Sequence, residues 1–180
     1  YKLVPGGVLG PRRPYNFVID EYPNFLDSGK GCKIYDVDGN EYIDMLAGYG
    51  PIIIGYREEE IDNEVIKEIR NKGTCMALTQ TTQNTLVKTL QDCIPSCEKA
   101  IIVKTGSDAS TLSIRIARSF TNKEKILRCG YHGWHDWCVE EKEGIPKNSY
   151  KDVLEFNYND LDNLEKLFKS YKNEVAAVIM

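Results

Sequence analysis

Apolar and polar positions change period several times along the chain, and each change marks an element. Glu58-Glu59-Glu60 precedes Ile61, Val65, Ile66 and Ile69, spaced for one face of a helix, and Lys67, Arg70 and Lys72 close it before Gly73. Acidic residues first and basic residues last suit the helix dipole. A second helix is predicted over residues 79–94, with Leu86, Val87, Leu90 and Ile94 on one face and Pro95 as its stop. The pattern then shortens to a buried strand over 100–103, a turn at Thr105-Gly106-Ser107, a helix from Asp108 to about Phe120, and a strand over 126–129. A strand over 153–156, a helix marked by Leu161, Leu164, Leu167, Phe168 and Tyr171, and a strand over 175–180 follow. This alternation predicts an α/β fold, a mostly parallel sheet flanked by helices.

The first third differs. Residues 1–24 are rich in proline and glycine and predict an extended arm lying over other structure. Residues 33–37 and 41–45 have high strand propensity and are joined by Asp38-Gly39, a strong hairpin signal. Residues 46–56, apolar, glycine-rich and interrupted by Pro51, predict a buried turn.

A chain of 180 residues that is 42% hydrophobic can bury a substantial core. The net charge of −4, with lysine and glutamate interspersed, provides no basic field for nucleic acid. No long apolar run or signal peptide is present, so no membrane partner is expected. Six scattered cysteines are expected as reduced thiols in a cytoplasmic protein. Cys129, His132, His135 and Cys138 match no common zinc spacing, and no metal is expected.

Candidate chemistry gathers at the corner after residue 103. A strand that breaks at glycine and restarts as a helix leaves N–H groups facing outward at the positive end of the helix dipole, which suits a phosphate. Gly106 admits close approach of an anion, and the hydroxyls of Ser107 and Thr105 are candidate further donors. Asp108 favours the helix start but repels phosphate, so it is expected to point away. One strand later, Tyr131 and His132 leave the sheet at its carboxyl end, where open α/β sheets bind ligands. A planar ring beside a phosphate cradle implies a ligand with both features.

These residues resemble the class III pyridoxal-phosphate aminotransferases of fold type I, particularly the branch containing glutamate-1-semialdehyde aminomutase. The matching motifs run in order: Pro5-Gly6-Gly7-Val8, Asp36-Val37-Asp38-Gly39-Asn40-Glu41-Tyr42-Ile43-Asp44, Gly50-Pro51-Ile52-Ile53-Ile54-Gly55, Thr105-Gly106-Ser107-Asp108-Ala109 and Tyr131-His132-Gly133. The resemblance implies a type I fold, incomplete in this chain, with residues 1–73 in a small-domain segment and 74–180 as the first half of the large cofactor domain. It implies pyridoxal 5'-phosphate (PLP) held by Gly106 and Ser107 with help from a Ser107 or Thr105 hydroxyl, Tyr131 stacked on the ring, and His132 bordering ring or substrate. It places a substrate-carboxylate arginine at Arg13, a pocket-lining aromatic at Tyr49, and the active sites in a homodimer. The aspartate for the ring nitrogen and the Schiff-base lysine are expected beyond Met180, so no catalytic residue is assigned here and these residues alone are not expected to turn over. Lys104, at the phosphate end, is not a substitute. Residues 138–148 are short and charged, without the glycine- and serine-rich gating loop of the aminomutases, which favours transamination. Aminomutase activity and a non-catalytic, truncated phosphate-binding module are the alternatives.

Overall fold

The computed structural model describes residues 3, 4, 23 and 25–180, so Arg13 and all but three residues of the expected arm lie outside the described residues. The chain divides into two compact units, residues 1–83 and 84–180.

The first unit is built on an antiparallel sheet of β1 (Leu26–Lys30), β2 (Lys33–Asp36) and β3 (Glu41–Ile43), in that order. The Asp38-Gly39 hairpin forms where expected, with Gly39 at φ +84°. Asp36 is buried under it and accepts from the Asp38 and Asn40 backbone N–H groups (3.0 and 2.8 Å), Asn40 Nδ2 (2.9 Å) and the Tyr42 hydroxyl (2.8 Å). Strand β1, Leu-Asp-Ser-Gly-Lys, carries no strand signal of its own and exists because β2 offers it a ladder.

Residues 46–56 depart from expectation. They turn, but they are not buried: Ile53 and Ile54 are 87% and 61% exposed. Ala47, Gly48, Tyr49 and Gly50 all have positive φ (50°, 58°, 64° and 111°), a left-handed turn that closes its own hydrogen bonds and directs these apolar side chains outward. Asp44 anchors it, accepting from Leu46 N–H (2.8 Å), Ala47 N–H (3.1 Å) and the Tyr56 hydroxyl (2.7 Å). Helix α1 (Glu59–Lys72) begins and ends on the expected acidic and basic residues, with its apolar stripe about half exposed. Helix α2 (Thr81–Cys93) follows.

The second unit is a three-layer α/β arrangement. Helix α3 (Gly106–Thr121), β4 (Lys125–Arg128), β5 (Val153–Glu155), α4 (Leu161–Ser170) and β6 (Val175–Ile179) form a parallel sheet in the order β5-β4-β6 with helices over it. Period-two alternation divides β4 between two cores. Ile126 packs with Ile114 of α3, Trp137 and Cys138, and Leu127 packs with Phe156, Val175 and the α4 side chains Leu164 and Leu167. At the amino ends of the strands Lys125 bridges Asp152 (3.4 Å) and Glu174 (3.2 Å). The expected strand over 100–103 does not form: these residues carry no ladder, and Ile101 and Ile102 are exposed. A strand requires a neighbour, and among the described strands none runs beside this segment. No helix of the described residues is long and apolar enough to cross a membrane.

Candidate functional site

Thr105 caps α3. Its hydroxyl accepts from Asp108 N–H (3.1 Å), while its own N–H and O–H both donate to Asp108 Oδ2 (2.9 and 2.8 Å), a reciprocal capping box. This corrects one expectation, because the Thr105 hydroxyl hydrogen is committed to Asp108 and is not a donor for an anion. The same bonds fold the Asp108 carboxylate back over the cap.

The next two amides are different. Gly106 and Ser107 N–H occupy the first two helical positions, which have no intrahelical acceptor, and they have no partner among the described residues. A Cβ built on Gly106 meets nothing within 4 Å, so the space before these amides is open. Two unpaired donors at the positive end of a sixteen-residue helix fit a phosphate group. Lys104 beside them is exposed.

The Tyr131-His132-Gly133 loop is fastened to this turn. Ser107 is buried against Gly133, which adopts φ +113° and stands so close that a Cβ there would overlap the serine side chain. Trp134 N–H donates to Ser107 Oγ at 3.2 Å, which leaves the serine hydroxyl hydrogen available. Ser110 Oγ donates to the His132 carbonyl at 2.7 Å. Thr111 Oγ1 lies 2.7 Å from His135 Nδ1 and accepts from Trp137 Nε1 at 2.7 Å. Ser107, Ser110, Thr111 and Ile114 thus form one stripe of α3, three hydroxyls holding the loop and one side chain in the core. Their i, i+3, i+4, i+7 spacing was visible in the sequence; hydroxyl residues are simply not counted when a helix face is sought by hydrophobicity.

Tyr131 is 73% exposed. It stands two residues from Gly133, within about 7 Å of chain from the Ser107 contact. His132 is half-buried and turned into the protein: Nε2 lies 2.9 Å from the Cys129 carbonyl, and the ring stacks on Trp137 at 6.4 Å between centroids. A carbonyl only accepts, so the Nε2 position carries the hydrogen. Cys129 and Cys138 belong to the two opposite cores of the sheet, and among the described residues no three metal-ligating side chains come together. Burial pushes the Cys138 thiol above its ordinary value.

Beside Gly130, at the carboxyl ends of β4 and β5, a cleft of about 250 Å³ is lined by Arg128, Cys129, Gly130, Glu140, Glu155 and Phe156. Arg128 is buried there; its Nε and Nη2 bond Glu155 Oε1 (3.2 and 2.7 Å), and Nη1 donates to the Cys138 carbonyl, pinning the loop to the strand. Tyr49 belongs to the first unit and is 61% exposed.

A family model for class-III aminotransferases matches residues 18–180. The chain belongs to that family. The 3-aminobutyryl-CoA aminotransferase of Cloacimonas acidaminovorans is 63% identical over 99% of this chain and 43% of its own length. Glutamate-1-semialdehyde 2,1-aminomutase 1 of Staphylococcus aureus is 36% identical over 99% of this chain and 44% of its own. Among solved structures, a PLP form of the FumI protein of Sphingopyxis sp. MTA144 superposes with a TM-score of 0.90 at 30% identity, covering 98% of this chain and 43% of that one. An omega-transaminase from Sphaerobacter thermophilus gives 0.80 at 25% identity, over 95% and 44% of the two chains. The class-III chain described here therefore spans less than half the length of the relatives it matches, and its sheet is part of a type I fold.

Proposed function

We propose that the full-length protein is a PLP-dependent aminotransferase, cytoplasmic and homodimeric, that moves an amino group between a 3-amino acyl thioester and a keto acid. The observation that carries this reading is the pair of open amides at Gly106 and Ser107, tied through Ser107 to the Tyr131-His132-Gly133 loop. PLP, when bound, supplies an electron sink for negative charge on the amine-bearing carbon.

The residues of this chain bind and orient. The Gly106 and Ser107 amides and the Ser107 hydroxyl hydrogen hold the phosphate. Thr105 keeps the turn in shape from behind. Tyr131 offers its exposed face to the flat ring, and His132, fixed by the Cys129 carbonyl and Trp137, borders it with Nδ1. A thioester has no free carboxylate, so Arg13 is assigned to the keto acid, where a guanidinium gives two parallel hydrogen bonds. Tyr49 lines the substrate pocket. The 63% identity to an enzyme named for 3-aminobutyryl-CoA supports the thioester substrate. The short, charged segment over 138–148 supports release of the first product over amine migration within a closed site.

The test uses the full-length protein. Visible absorbance and borohydride trapping report PLP, and turnover is followed with 3-aminobutyryl-CoA plus 2-oxoglutarate, with glutamate-1-semialdehyde in parallel. The proposal expects trapped cofactor and keto-acid-dependent amino transfer from the thioester. Isomerisation of the semialdehyde without a keto acid favours the aminomutase, and absence of trapping removes the cofactor assignment. Light scattering tests the dimer, and cell fractionation tests the location.

A further inference from the structure

We propose that His135 is a positioning residue for the phosphate seat: it holds the Asp108 carboxylate turned back onto the helix cap, so that this negative charge does not face the anion. The inference deepens the PLP reading above and rests on it.

The placement follows from a chain of contacts that starts at a fixed donor. Trp137 Nε1–H only donates, and it donates to Thr111 Oγ1 at 2.7 Å. Trp137 is itself buried in the core with Ile114 and Ile126, so this donor cannot swing away. The Thr111 hydroxyl keeps its hydrogen, which it can direct at His135 Nδ1, 2.7 Å away. An Nδ1 that accepts places the hydrogen of the neutral ring on Nε2. That atom faces Asp108 Oδ1 at 3.8 Å, longer than a hydrogen bond but within electrostatic reach. The other carboxylate oxygen, Oδ2, takes both Thr105 donors.

Asp108 is thus held by the cap on Oδ2 and faced by the imidazole on Oδ1. Without His135 the Oδ1 side has no positive or donor group toward it among the described residues, and the carboxylate is restrained by Thr105 alone. Asp108 is the only acidic residue in the first turn of α3, one position beyond the Ser107 amide. Any rotation that frees it from Thr105 brings a negative charge toward the two amides that face the phosphate. Trp134 stands edge-on to His135 at 5.5 Å between ring centroids.

The experiment measures dissociation constants of PLP and of pyridoxal, which lacks the phosphate, for the full-length protein and for H135A, H135Q, and H135A combined with D108N. The expected result is a loss of PLP affinity of roughly five- to tenfold in H135A, the scale of one partly exposed charge interaction, with pyridoxal binding unchanged. H135Q, whose amide can accept from Thr111 and donate to Asp108, recovers affinity, and D108N in the H135A background restores it. Equal losses for PLP and pyridoxal, or no recovery on removing the Asp108 charge, overturn the proposal and leave His135 as ordinary packing. A wild-type protein that binds PLP no better than pyridoxal overturns the phosphate seat itself, and the positioning role falls with it.

Discussion

Ser107 and Gly133 are in contact: the Ser107 side chain fills the space where a side chain of residue 133 would begin, and Trp134 N–H closes the join on Ser107 Oγ at 3.2 Å. Two motifs separated by a helix and a strand are thereby made into one surface. Gly133 combines positive φ with no room for a Cβ, so Gly133→Ala is expected to destabilise the second unit by about 1–3 kcal/mol. The loop is also expected to lift from α3. Urea unfolding reads the first effect, and loss of PLP affinity in the full-length protein reads the second.

Ser107 and Thr105 are neighbours with different jobs, and substitution separates them. Thr105→Ala removes the cap and is expected to cost about 1 kcal/mol of stability, with Thr105→Ser recovering it. Ser107→Ala leaves the cap intact but removes the proposed phosphate donor and the acceptor of Trp134 N–H. Its expected effect is a roughly tenfold loss of PLP affinity, about 1.4 kcal/mol, with a smaller effect on pyridoxal. Comparable losses for both ligands in Ser107→Ala would show that the hydroxyl serves only the loop.

Much of this arrangement was legible beforehand, and the exceptions have physical causes. The hairpin at Asp38-Gly39 and helices α1 and α3 are set by local chemistry: turn residues, caps and a single apolar period. The two faces of β4 follow from alternation once the strand is placed. Strand β1 was missed because Leu26-Asp27-Ser28-Gly29-Lys30 has no strand propensity; its Gly29 is needed where a Cβ would come within 2.6 Å of the Tyr56 ring. The strand expected over 100–103 has the right composition but no partner among the described strands. At the site, the open amides of Gly106 and Ser107 were readable from the turn and helix start, whereas the commitment of Thr105 to the cap was not, because a hydroxyl in a sequence does not show where its hydrogen is spent. The bonds from Ser110 and Thr111 to the loop depend on a tertiary join that no local pattern encodes.

The first unit is expected to be acid-sensitive. Asp36, chiefly through the Asn40 side chain, and Asp44, chiefly through the Tyr56 hydroxyl, are held below their ordinary carboxylate values. A group whose folded value lies below its unfolded value stabilises the fold at pH above the unfolded value, about 4. That contribution is lost as pH falls through the folded value. Amide exchange across the β2–β3 hairpin is therefore expected to accelerate on acidification below about pH 4. Asp36→Asn removes the titrating group and flattens this response. A hairpin equally protected at neutral and strongly acidic pH would contradict the assignment.

Cys138 is 1% exposed and its thiol is raised by burial, so little thiolate is present at neutral pH. Alkylation of the native protein is expected to spare Cys138 and to reach it only on unfolding. Mass spectrometry of peptides labelled with and without denaturant checks this, and rapid native labelling would show that the loop over Ile126 opens readily.

The central claim is that the Gly106 and Ser107 amides seat the phosphate of PLP beneath the Tyr131 ring. A crystal structure of the full-length protein with PLP tests it most directly. The account predicts phosphate oxygens within hydrogen-bond distance of both amide nitrogens and the pyridine ring lying against Tyr131. A phosphate held elsewhere, or a ring without contact to Tyr131, would contradict it.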